Sequence, residues 1–116
     1  CWLHENSFNL YTSLIGSGPA YIFYLIEALL GASKGLNLET RESRELLTKM
    51  IIGSASLANT SQEEIKTLRE RVTSPGGVTE KALEILDKNN TAEILIQAIL
   101  EGEKKAFSLG KDKNNE

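Results

Sequence analysis

From Ala20 to Leu30 every residue is apolar except Glu27, and this run constrains the fold more than any other feature. It follows Ser17-Gly18-Pro19, where a serine can cap a helix and a proline fits the first turn. Gly31 and Gly35 bracket its far end, with Lys34 near the negative pole of the helix dipole. A helix that is apolar on nearly all sides has to be covered all round. A chain of 116 residues suits one small domain, which can complete such a core only with extra material, most simply a second copy of itself. A bilayer is the other cover to weigh, because Leu14 to Ala32 is about the length of a membrane span and carries one charge. The Gly16-Ser17-Gly18-Pro19 interruption, the central Glu27 and the lack of a second span argue against it, so no membrane is expected as a partner.

The rest of the chain reads as further helices. One opens at Asn37 and runs to about Ala58, with Leu46, Leu47, Met50, Ile51, Ser54, Leu57 and Ala58 on one face at three-and-four spacing. Gly53 inside it implies close helix contact at that point. Ser61-Gln62-Glu63-Glu64 has the pattern of a capping box for a short helix ending near Arg71. Val78 to Asp87 is again helical, Asn89 and Asn90 turn the chain, and a last helix runs from Thr91 to about Leu109. The expected class is all-α, a bundle of about five helices, with no strand pair needed after residue 16. The segment Cys1 to Ile15 has no clean period and reads as an extended lead-in. Lys111 to Glu116 reads as a frayed tail. A start at Cys1-Trp2-Leu3 rather than at methionine suggests an excerpt from something longer.

Charge and composition remove several functions. The chain has 13 basic and 16 acidic residues, a formal net charge of −3 and no basic block, so no surface is built to neutralise the phosphates of a nucleic acid. One cysteine and one histidine make neither an internal disulfide nor the usual nitrogen and sulfur metal cages. Cys1 reads as an inert terminal thiol and His4 as an exposed lead-in residue. Glu27 is either a buried acid or the partner of an amide or arginine, and the structural reading is favoured. Arg69 and Arg71 could attract an anion, but a solvated helix face explains them. Asn59-Thr60-Ser61 matches a glycosylation acceptor, and nothing else suggests secretion.

Two glycine-rich breaks compete for chemistry. Gly16-Ser17-Gly18 looks like the start of a dinucleotide fingerprint, but Tyr21 stands where the third glycine belongs and no parallel strand follows. The second break, Val72-Thr73-Ser74-Pro75-Gly76-Gly77-Val78-Thr79, is more specific. Its glycines free the backbone for a concave turn, hydroxyls surround it, and a helix begins just after it, where free amides attract anions. The ligand expected there is a small carboxylate or phosphate, held by the amides of Gly77 and Val78 and the hydroxyls of Ser74 and Thr79. On composition alone, a plain helix-to-helix turn capped by Ser74 or Thr79 is the favoured reading.

Taken in order, Gly16-Ser17-Gly18-Pro19-Ala20-Tyr21, Ile26-Glu27-Ala28-Leu29 and Leu68-Arg69-Glu70-Arg71-Val72-Thr73-Ser74-Pro75-Gly76-Gly77-Val78-Thr79 closely resemble the C-terminal domain of pyrroline-5-carboxylate reductase. The resemblance spans roughly Leu10 to Leu109. It implies a dimerisation fold like that of the 6-phosphogluconate dehydrogenase C-terminal domain, with helices interleaved in a homodimer or larger homo-oligomer. It also implies reduction of pyrroline-5-carboxylate to proline, in the cytoplasm, with NADPH or NADH bound by an N-terminal Rossmann domain and none bound by this chain alone. Residues 1–16 would then lead in from that domain, 17–110 would form the dimerisation and substrate-binding domain, and 111–116 the tail. The implied substrate-binding residues are Ser74, Gly76, Gly77, Val78 and Thr79. Ser74 and the Gly77 and Val78 amides would take the substrate carboxylate, and the Thr79 hydroxyl, as the catalytic group, would hydrogen-bond the ring nitrogen. Val78 stands where threonine or alanine is frequent in the family, and Ile65 near where proline is frequent. Neither change removes a backbone amide from the turn. The competing expectation is a non-catalytic helical dimerisation or scaffold module.

Overall fold

The computed structural model describes residues 7–114, with no account of the side chains of 112–114. The readings of Cys1, His4 and the last residues of the tail therefore lie outside the described residues. Among those described there is no strand, in keeping with the all-α expectation. The elements are α1 (Phe8–Tyr11), a π-helical turn (Thr12–Gly16), α2 (Gly18–Ala32), a 3-10 turn (Ser33–Leu36), α3 (Thr40–Thr60), α4 (Ile65–Arg71), α5 (Val78–Lys88) and α6 (Thr91–Asn114).

Boundaries differ from the sequence reading where local hydrogen bonds decide them. The supposed extended lead-in is helical from Phe8 onward. Its aperiodic look has a cause: the π turn, closed by the Ser17 amide donating to the Thr12 carbonyl at 2.9 Å, inserts an extra residue and breaks the 3.6-residue period. Asn37 does not open α3 but lies at φ 57°, the left-handed region that asparagine tolerates, and stops the 3-10 turn. The capping box is also displaced. α4 begins at Ile65, the Ser61 hydroxyl accepts from the Glu63 amide at 3.1 Å, and Glu64 supplies the first carbonyl. α6 runs through Lys111 to Asn114, past the expected end at Leu109.

The helices fall into two units. In the first, residues 7–21 with 84–114, α1 and the π turn pack on α6. The Ser13 hydroxyl donates to the Ile99 carbonyl at 2.6 Å, and the Tyr21 hydroxyl donates to the Ser13 carbonyl, also at 2.6 Å. Gly102 makes this approach possible, because a Cβ there would stand 2.2 Å from Ser13 Oγ. In the second unit, residues 22–83, Leu25 of α2, Met50, Ile51 and Leu57 of α3 and Leu68 of α4 line an apolar groove of about 500 Å³.

Neither unit closes a core. No apolar side chain is buried among the described residues; the two buried residues are serines, Ser13 and Ser43. α2, which the sequence says must be covered, leaves Phe23 65% and Tyr24 76% exposed, and Glu27 is exposed with them. The accessible surface is 10027 Å², whereas two separate compact bodies of these sizes would together expose about 7,500 Å². The chain thus exposes roughly 2,500 Å² more than compact bodies of its size would.

Candidate functional site: the glycine turn before α5

α4 ends in a way that ties down the first hydroxyl of the turn. The Val72 and Thr73 amides donate to the carbonyls of Arg69 and Glu70, and the Thr73 hydroxyl donates back to the Arg69 carbonyl at 2.6 Å. Thr73 is thus a C-terminal cap of α4 and is not available to a ligand. Arg71 forms an ion pair with Glu63, which holds its guanidinium to the α3–α4 link rather than to the turn. This agrees with the structural reading of that arginine.

Ser74-Pro75-Gly76-Gly77 then forms a type II turn. Proline presets the second position, Gly76 takes φ 72° at the third, and the Gly77 amide donates to the Ser74 carbonyl at 3.0 Å. Gly76 is needed for its positive φ, Gly77 for space: a Cβ on Gly77 would lie 3.1 Å from that same Ser74 carbonyl oxygen. Gly77 is also the residue whose carbonyl accepts the first helical bond of α5, from the Lys81 amide at 3.3 Å.

All five expected site residues therefore fall in one contiguous turn, and the hydrogen bonds sort the donors among them. The Gly77 amide is engaged inside the turn. The Gly76 amide is taken by the Glu80 carboxylate at 3.1 Å, a contact the sequence reading missed. Glutamate three places after a helix-starting residue is the spacing that would have flagged it. As the first residues of α5, Val78 and Thr79 have amides without an intrahelical acceptor. Ser74 is exposed and Thr79 half-buried, and neither hydroxyl is bonded to another described residue. The turn offers two free amides and two free hydroxyls at the positive end of a helix, which is chemistry suited to a small anion.

The Gly16-Ser17-Gly18 run has no such geometry. It closes the π turn and opens α2, with helix rather than strand directly before it from Phe8 and neither of its glycines at positive φ. This run does not have the form of a dinucleotide fingerprint.

An all-helical chain with an uncovered apolar helix and a glycine turn opening α5 defines a helical domain built to be completed by association. The family model described as pyrroline-5-carboxylate reductase dimerisation matches residues 5–109, and the chain belongs to that family. Among curated relatives, pyrroline-5-carboxylate reductase 1 of Bacillus spizizenii is 31% identical over 110 residues, covering 95% of this chain and 37% of the relative. Among solved structures, the Coxiella burnetii pyrroline-5-carboxylate reductase has a TM-score of 0.86 at 36% identity, covering 92% of this chain and 40% of that one. The Plasmodium falciparum pyrroline carboxylate reductase, solved with NADP bound, has a TM-score of 0.88 at 29% identity, covering 93% and 41%. The chain thus spans well under half the length of these relatives. The helical run Phe8–Leu36 is long and apolar enough to cross a membrane; in this family it lies within a dimerisation domain.

Proposed function

We propose that this chain is the dimerisation and substrate-binding part of a cytoplasmic pyrroline-5-carboxylate reductase, which reduces 1-pyrroline-5-carboxylate to L-proline with NADPH or NADH. The observation that carries the reading is the Ser74–Gly77 turn opening α5 with the Val78 and Thr79 amides free. Ser74 and these amides take the substrate carboxylate, Gly76 and Gly77 shape the seat, and the Thr79 hydroxyl holds the ring nitrogen. Holding both groups fixes the orientation of the imine, and such positioning carries a large share of rate acceleration. The nicotinamide cofactor is held, on this reading, by a separate Rossmann domain, in keeping with the NADP bound in the Plasmodium falciparum relative, of which this chain covers 41%.

The chain works as a homodimer or a larger homo-oligomer. Two copies covering about 2,500 Å² each bury roughly 5,000 Å² together, the range of obligate dimers. Joined behind the cofactor domain of one of its relatives, the chain should support reduction of pyrroline-5-carboxylate, and Thr79→Ala should lower kcat about a hundredfold. Ser61→Ala, at the remote α3–α4 link, should leave it unchanged. An inactive chimera that still dimerises would favour the scaffold reading.

A further inference from the structure

Glu80 has the spacing of a helix-capping glutamate, and the site's assignment gives it no part. Its carboxylate Oε1 accepts the Gly76 amide at 3.1 Å while the side chain remains exposed in the first turn of α5. A negative charge supplied by the chain therefore already satisfies one backbone donor of the seat. We propose that Glu80 determines the anion selectivity of the turn. It removes the Gly76 donor and sets one fixed negative charge beside the amides of Val78 and Thr79, so that the seat accepts a monocarboxylate and disfavours a dianion such as phosphate. This rests on the turn being the substrate-carboxylate seat.

The two parts of the role separate by substitution. Glu80→Gln keeps an acceptor for the Gly76 amide and removes the charge; Glu80→Ala removes both. A charge at a helix N-terminus changes the binding of one ligand charge by about two- to fivefold when exposed, and a doubly charged ligand feels it more strongly. The test is amide NMR on the 116-residue chain, titrated with L-proline and with inorganic phosphate at matched ionic strength, together with hydrogen exchange at Gly76.

Wild type should show Val78 and Thr79 shifting with proline and only weakly with phosphate. In Glu80→Gln, phosphate affinity should rise about five- to tenfold, more than the two- to fivefold rise expected for the single carboxylate of proline. Gly76 exchange should be slow in wild type and in Glu80→Gln, and faster in Glu80→Ala. If phosphate affinity is the same in wild type and Glu80→Gln while proline still shifts the turn, the proposal falls and the substrate seat stands. Gly76 exchange unchanged in Glu80→Ala would also overturn it. Silence of the turn to both ligands in all three proteins would remove the seat itself, and this proposal with it.

Discussion

Gly102→Ala is the sharpest test of how the first unit is assembled. In an exposed helix interior this change stabilises by about 1 kcal/mol, because glycine costs conformational entropy. Here the new Cβ would meet Ser13 Oγ at 2.2 Å and Ser13 Cβ at 3.3 Å, and Ser13 is 3% exposed. The hydroxyl can escape only by rotating away from the Ile99 carbonyl that it now meets at 2.6 Å. That forfeits a hydrogen bond of about 1 kcal/mol and strands a buried hydroxyl at a further cost of about 1–3 kcal/mol. After subtracting the helix gain, Gly102→Ala should destabilise by roughly 1–3 kcal/mol.

Ser13→Ala alone should cost about 1 kcal/mol. The double variant S13A/G102A should lose less than the sum of the two single changes, because the clashing oxygen is gone and only the 3.3 Å approach of the Ser13 Cβ remains. The assay is urea unfolding of all four proteins at one protomer concentration, since the midpoint of an oligomer depends on it. A Gly102→Ala protein as stable as the parent, or strictly additive effects in the double variant, would refute the reasoning.

Other expectations follow from the same geometry. Gly76→Ala forces an alanine to φ 72° and should cost about 1–2 kcal/mol; Gly77→Ala should perturb the Val78 and Thr79 amide resonances by pushing on the Ser74 carbonyl. Gly53 has nothing within 4 Å of an added Cβ inside its own chain, so in the proposed homodimer the close contact its sequence position implies falls to the second copy. Gly53→Ala should accordingly weaken association, and a gain of about 1 kcal/mol would contradict this. Tyr24→Glu places a charge on a side chain 76% exposed in the single chain and should shift sedimentation toward smaller species; an unchanged mass would show that this face of α2 is not covered by the second copy.

Much of this was legible in the sequence, for identifiable reasons. The apolar run of α2 and the three-and-four spacing of α3 gave the class, because helical burial leaves a periodic trace. Ser74-Pro75-Gly76-Gly77 gave the turn, because a proline followed by a glycine at positive φ is a local requirement that neighbours cannot override. The helix at Phe8–Tyr11 was hidden by the π turn that follows it, which shifts the face by one residue. The Ser13–Gly102 approach joins residues far apart in the chain and leaves no short-range pattern. Gly77 and Glu80 illustrate the limit within the site itself: the sequence shows which donors and acceptors are present, while their division between the turn and a ligand depends on distances.

On the proposed assembly the core of this protein is made between two copies and does not exist in one. Analytical ultracentrifugation combined with far-ultraviolet circular dichroism over a dilution series tests it directly. The expected result is a dimer or larger species at micromolar concentration that loses mass and helix content together on dilution. A monomer that keeps its helical signal and unfolds cooperatively would contradict it.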